Sequence, residues 1–159
     1  MMETLTQELT AGFPDAPTFA RLTLRLCLAA VLGAIVGSDR ERMGKPAGLR
    51  THMLVSLGAA AFVLFAAEAG MTVADASRVI QGVATGIGFI GAGAILKRSD
   101  AEDIQGLTTA AGLWVTAAIG SAVGLGHLWF PVVCSIAAWL VLRLLPPLER
   151  AIEGKDRRS

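Results

Sequence analysis

The sequence predicts an all-α bundle of transmembrane helices, with five spans preferred and four as the alternative, on three observations. The chain is 53% hydrophobic with a mean hydropathy of +0.59, above the usual range of a soluble domain. Residues 51–67, 79–96 and 104–126 contain no charged side chain, and 127–145 contains only Arg143. Each stretch approaches the roughly 20 apolar residues that a helix needs to cross about 30 Å of hydrocarbon. All but Arg143 of the 14 Lys and Arg residues lie outside these stretches, and a chain of 159 residues is too short to bury four such segments from water by itself.

Taken in order, residues 1–17 form a polar N-terminal tail that closes on Phe13-Pro14-Asp15-Ala16-Pro17, a loop that launches the first helix. The first span is expected over 18–38. Arg21 and Arg25 precede its uncharged part, and Arg25 reaches the surface by extending its stem. An interfacial amphipathic helix is the rival and would leave four spans, but residues 26–37 are apolar all round. Gly44, Pro46 and Gly48 then break the chain before the second span at 51–67. A short connector over 68–78 leads to a third, glycine-rich span at 79–96, and a mixed-charge connector over 97–103 leads to the fourth. The chain turns back around Gly124-Leu125-Gly126-His127, and Pro146-Pro147 is expected to end the fifth helix. One transmembrane domain, 18–147, thus lies between the N-terminal tail and a polar tail at 148–159.

Basic residues orient the bundle. Arg40, Arg42, Lys45 and Arg50 follow the first span, Lys97 and Arg98 the third, and Arg150, Lys155, Arg157 and Arg158 the fifth. The other side has Arg78 and the two arginines at the start of the first helix, and the first 19 residues carry Glu3, Glu8 and Asp15 with no basic side chain. The positive-inside rule therefore places the N-terminus outside and the C-terminus in the cytoplasm. The N-terminal segment has no basic n-region, so it is expected to stay on the protein.

The third span is the expected centre of the bundle. Gly82, Gly86 and Gly93 share one helical face, and Gly88 and Gly91 fall with Ala84 on another, so that neighbouring backbones approach from both sides. An unwound turn near Gly86 and Gly88, exposing carbonyls to an ion, is the functional alternative. The same glycines match the dinucleotide fingerprint formally, but no strand of a βαβ unit precedes them, and no nucleotide or nucleic acid is expected. Among intramembrane polar residues, Gln81 is the one expected to make an interhelical bond, and Gln81, Thr85, Thr108 and Thr109 are the candidates to line a polar path. The strongest polar constellation is the loop from Gly37 to His52. Asp39 and Glu41 are expected to pair with Arg42, Lys45 or Arg50 and dock the loop against the other cytoplasmic ends, with His52 at that membrane face. At the opposite face, a Glu68 or Asp75 partner for Arg25 is expected, or free extension into the headgroups.

Spans two to five contain no carboxylate, which argues against a dedicated Mg²⁺ channel, because Mg²⁺ is normally held through one or two carboxylates. No nucleophile–base arrangement or metal-ligand spacing is present, so no enzyme and no cofactor are expected, with Mg²⁺ the one ion left open. Cys27 and Cys134 read as small packing residues within spans.

Three blocks resemble the membrane domain of the MgtC/SapB family of bacterial inner-membrane proteins. The first runs from Leu28 through Gly37-Ser-Asp-Arg-Glu-Arg42 and Lys45-Pro-Ala-Gly-Leu-Arg-Thr-His52 to Gly58-Ala-Ala60. The second is Asp75-x-x-Arg78-Val-Ile-Gln-Gly-Val-Ala-Thr-Gly-Ile-Gly-Phe-Ile-Gly-Ala-Gly93, and the third is Gly106-Leu-Thr-Thr-Ala-Ala-Gly-Leu-Trp-Val-Thr-Ala-Ala-Ile-Gly120. The resemblance implies a role in adaptation to low Mg²⁺ and, in pathogens, survival inside macrophages. It implies either a Mg²⁺ transporter or a regulator that restrains the F-type ATP synthase through a membrane-protein contact, with a homo-oligomer as another arrangement. The sequence departs at Ser38-Asp39, where a bulkier residue followed by Glu or Gln is expected, and residues 148–159 hold no counterpart of the C-terminal ACT-like domain of longer members.

Overall fold

A computed structural model describes residues 1–4, 6, 12–97 and 104–156. The bundle consists of α1 (Ala16–Arg42), α2 (Leu49–Glu68), α3 (Val73–Ala94), α4 (Leu107–Leu125) and α5 (Trp129–Asp156). A two-residue antiparallel ribbon, β1 (Leu96–Lys97) with β2 (Ile104–Gln105), joins α3 to α4. Arg98 and the rest of the mixed-charge connector to residue 103, Glu8, and Arg157 and Arg158 of the tail lie outside the described residues.

Local chemistry accounts for the helix ends. Pro17 stands in the first turn of α1, where its missing N–H has no intrahelical role. α1, α2 and α4 each close on a glycine of positive φ, Gly44, Gly70 and Gly126, with the following N–H returning to the carbonyls of Arg40, Ala66 and Ala122 at 3.0–3.1 Å. At the start of α3, Asp75 N–H donates to the Thr72 hydroxyl at 3.2 Å, and that hydroxyl donates to the Asp75 carboxylate at 2.6 Å. α2 starts after Gly48, which has no side chain to cap it, so Glu41 reaches across the connector and accepts the Leu49 N–H at 2.9 Å. The Glu41 carboxylate lies directly on Gly48, where any side chain would collide with it.

Among the described residues four helices are long and apolar enough to cross a membrane: α1, α2, α4 and α5 as far as Pro146. The weak element is therefore the third, whereas the sequence reading doubted the first. α3 has spanning length at 22 residues, but glycine contributes little hydropathy and Asp75 and Arg78 sit in its first two turns. α5 corrects a second expectation, because it continues through Pro146 and Pro147 to Asp156. Proline removes a donor but holds a helical φ, so two successive prolines weaken the ladder without ending it. Arg143, one turn before them, stacks 5.1 Å from the Trp139 ring.

The packing reverses the expectation that the glycine-rich helix is central. α2 is held between α1, antiparallel to it, and α4, parallel to it, through glycines on those two neighbours. A Cβ at Gly33 would lie 2.6 Å from the His52 carbonyl oxygen, and one at Gly37 2.9 Å from Leu49 Cα. From the other side, a Cβ at Gly120 would strike the Ser56 carbonyl, and one at Gly124 would lie 2.7 Å from Val63 Cβ. Gly33 and Gly37, and Gly120 and Gly124, are two small-xxx-small pairs that let backbones meet. One core unites Ala29, Leu32 and Val36 with Ala60, Ile119, Val123 and Leu142, and Cys134 packs against it while Cys27 is exposed. α3 lies outside this centre. Its Gly82, Gly86, Gly88 and Gly93 have nothing within 4 Å of a Cβ position, and only Gly91 touches a neighbour, Ala110 of α4. Ile87 joins Leu113 and Ala117 in a second core cluster, and with Ile80 near Leu125 the two helices run antiparallel along their length. Cβ bulk is what makes a helix face stand off from a partner, and α3 meets α4 through its isoleucines and valines instead.

At the end of the bundle opposite the basic connector, charges pair. Arg21 bonds Glu68 at 3.2 Å and Asp75 bonds Arg78 at 3.5 Å. Glu68 thus takes the arginine one turn earlier than expected. Arg25 instead donates to the Gly124 carbonyl at 3.3 Å, a cation on the C-terminal end of α4.

Three expectations follow for stability in detergent. Gly120→Leu should destabilise the bundle by about 2 kcal/mol or more, since the colliding atom is backbone and cannot move aside. Gly93→Ala, in open space, should leave the melting temperature unchanged or raised. Glu41→Ala should cost about 1 kcal/mol by leaving the first N–H of α2 without its acceptor. Thermal melts that rank the three variants otherwise would contradict this packing.

Candidate functional site

The sequence places its strongest constellation at the α1–α2 connector, and the structure divides that constellation in two. Arg42, Lys45 and Arg50 are exposed, whereas Asp39 and Arg40 in the last turn of α1 are 8% and 3% exposed. None of the expected ion pairs of Asp39 and Glu41 forms among the described residues, whose ion pairs both lie at the opposite end. The reason is geometric: the helix turns Asp39 and Arg40 inward, while Glu41 is committed to the start of α2. The connector is docked, but by a hydrogen bond and burial rather than by charge pairing.

His52 corrects a further expectation. It is fully buried, its Cβ pressed on Gly37 and its Nε2 facing Gly112 at 3.4 Å from a Cβ position there. Nδ1 lies 2.9 Å from the Gly48 carbonyl. A carbonyl only accepts, so Nδ1 carries the hydrogen, and in the neutral ring Nε2 remains an acceptor. Below it, Ser56 is fully buried between Gly33 and Gly120. Asp39 Oδ2, Arg40 Nε, His52 Nε2 and Ser56 Oγ are all buried without a hydrogen-bond partner, as is Ser135 Oγ on α5. Arg40 lies within Coulombic reach of the His52 ring and of Asp39. Buried donors and acceptors are ordinarily satisfied, by protein or by ordered water, which sets this group apart from the rest of the core. No cluster of three or more His, Cys, Asp or Glu able to hold a metal occurs among the described residues, and Asp39 is the one carboxylate among the orphaned groups.

The four residues expected to line a polar path do not come together. Gln81 and Thr85 lie on the exposed side of α3, and the Thr85 hydroxyl donates to the Gln81 carbonyl at 2.8 Å within its own helix. Gln81 makes no interhelical bond among the described residues, because its face is exposed. Thr108 is exposed and Thr109 buried, and both line a cavity of about 560 Å³ with Lys45, Pro46, Gln105 and Gly106. Beyond Thr109 the buried side of α4 turns to Leu113 and Ala117, while the Thr116 hydroxyl is spent on the Gly112 carbonyl at 2.8 Å.

Arg40 and Ser56 are members of the buried group that the sequence reading did not single out. The available sign was spacing: Gly33 and Gly37 on α1, and Gly112, Gly120 and Gly124 on α4, recur in multiples of four residues around the α2 positions that carry His52 and Ser56.

The MgtC family model matches residues 26–151, which include every residue of this buried group. Protein SrpB of Synechococcus elongatus is 46% identical over 119 residues, covering 68% of this chain and 65% of that protein. The putative magnesium transporter YhiD of Escherichia coli K12 is 40% identical over 144 residues, 86% of this chain and 66% of that protein. Protein MgtC of Brucella abortus is 40% identical over 136 residues, 83% of this chain and 55% of that protein. The chain thus spans somewhat less than two thirds of these relatives' length, and no solved structure matches it. On the family match and these identities, the chain is a multi-pass membrane protein belonging to the MgtC family.

Proposed function

We propose that this protein is a small, non-catalytic regulator of the bacterial inner membrane that acts by binding another membrane protein during adaptation to low Mg²⁺ or acid stress. The observation that carries this reading is the outward face of α3. Gln81, Thr85, Gly88 and Ala92 recur at i, i+4, i+7 and i+11, and all four are exposed. A stripe of small residues with one carboxamide is a surface that another transmembrane helix packs against closely, with the carboxamide as hydrogen-bonding glue. Among the described residues nothing covers this stripe. The family resemblance makes the F-type ATP synthase the partner to test first.

The placement of α3 supports five spans, since it lies along the whole of α4 and therefore at the same depth. The distribution of basic residues supports an inner end at the α1–α2 connector, with the N-terminus in the periplasm. Arg40, Arg42, Lys45 and Arg50 all lie at that end, whereas Arg21, Arg25 and Arg78 at the other are each bonded to an acid or a carbonyl.

A transporter of Mg²⁺ is the second reading, favoured by the name of one relative and by the cavity at Thr108 and Thr109. Lys45 in that lining opposes a divalent cation, and the buried wall of α4 above it is apolar.

Reconstituted into proteoliposomes, the protein should admit no more Mg²⁺ than empty vesicles. In cells, a photo-crosslinker at Ala92 should capture an ATP synthase membrane subunit, and Gly88→Leu should lower its recovery about tenfold without lowering the melting temperature. Mg²⁺ flux abolished by Gln81→Leu, or crosslinks to nothing but a second copy of this chain, would overturn the regulatory reading.

A further inference from the structure

A second surface of α3 lies on the flank away from that stripe. Between α2 and α3 runs a groove of about 810 Å³, walled by Leu54, Gly58 and Phe62 on one side and Gly82, Gly86 and Ile90 on the other. The groove is open because its three glycines carry nothing: a Cβ at Gly58, Gly82 or Gly86 would meet no atom within 4 Å. Its walls are almost wholly apolar, and its one charged lining residue is Arg50 at the end near the α1–α2 connector.

Arg50 is exposed and forms no ion pair among the described residues. It stands in the first turn of α2, which contains no acidic residue, so its charge adds to the positive end of the helix dipole. Two like charges placed together at a membrane face favour an anion between them. Glu41 does not supply one to Arg50, because its carboxylate is bonded to the Leu49 N–H on the connector side.

Size decides what the groove admits. Arg50 to Phe62 covers twelve residues, about 18 Å at 1.5 Å per residue, close to the roughly 15 Å depth of one leaflet. An apolar groove of that length with one cation at its end matches an acyl chain that carries an anionic headgroup. We propose that the α2–α3 groove is a binding site for a single anionic phospholipid of the inner leaflet, with an acyl chain along Gly58, Gly82 and Gly86 and the headgroup phosphate on Arg50. The site is apolar where a lipid is apolar and basic at the one level where a lipid is anionic.

The test uses the full chain in nanodiscs of equal phosphatidylglycerol and phosphatidylcholine, released into native mass spectrometry. One bound lipid per chain is expected, with phosphatidylglycerol enriched several-fold over phosphatidylcholine. Arg50→Gln should cut that enrichment about fivefold, the worth of one interfacial arginine, while leaving some lipid bound. Gly86→Leu should fill the groove and remove the bound lipid, with helix content and melting temperature unchanged because the added side chain enters open space. Equal retention of both lipids in the unmodified protein and in Arg50→Gln overturns the headgroup assignment. Lipid retained in Gly86→Leu overturns the groove, as does a dimer peak that Gly86→Leu abolishes, which would assign the face to a second copy of the chain.

Discussion

The approach of α2 to the backbones of α1 and α4 is the constraint on which the rest of the bundle depends. In a membrane, helices gain little from burying leucine, because lipid is as apolar as leucine. What holds them is dense contact, and Gly33, Gly37, Gly120 and Gly124 permit it by removing the one atom that would intervene. Once α2 is wedged there, the ends follow. Leu49 comes within reach of Glu41, Glu68 of Arg21, and the last carbonyls of α4 of Arg25. These polar contacts fix the register, since sliding α2 by one turn would break those at both of its ends.

The same closeness explains why the polar groups lie where they do. Threonine and serine in a spanning helix usually return their hydroxyl to their own backbone, as Thr85, Thr116 and Ser121 do. Ser56 does not, and it lies with His52 on the face that meets glycine from two sides. A large apolar residue there would separate the helices, so the positions are restricted by volume. The orphaned atoms of Asp39, Arg40, His52 and Ser56 form a polar interior at the connector end of an otherwise largely apolar core.

How much of this was legible depended on whether a feature was local. The boundaries of α1, α2 and α4 follow from Pro17, Gly44, Gly70 and Gly126, whose meaning lies within a few residues of each. The choice of central helix was not local. Five glycines in α3 suggest close packing, yet periodicity states only which residues share a face and not what covers it. The glycines that do pack are fewer and more widely spaced on α1 and α4, and their partner, α2, has only Gly58, which itself faces the groove. His52 was legible as a residue of the connector end, but not that Gly37 and Gly112 enclose it there. The prolines of α5 misled differently, because their rule describes water, where a broken helix regains its hydrogen bonds from solvent.

α3 then stands apart energetically from the helices around it. It is held by α4 along one flank and by Ala59 of α2 beside Ile87, with the groove and the outward stripe on its remaining sides. An element with few buried contacts needs the least loss of contact to shift or tilt, and the least stable parts of a protein are those that respond to a ligand. Gly86 on the groove and Gly88 on the stripe are two residues apart on one rigid helix, so occupancy of either surface sets the position of the other. A lipid settled between α2 and α3 would fix the angle at which Gln81, Thr85, Gly88 and Ala92 meet a partner, and a partner helix that pulls α3 outward would open the groove. By linkage the two effects must be equal in free energy. The glycines of α3 therefore do the opposite of those on α1 and α4: absent side chains lock α2 in place, and the same absence leaves α3 free to be positioned by what binds it.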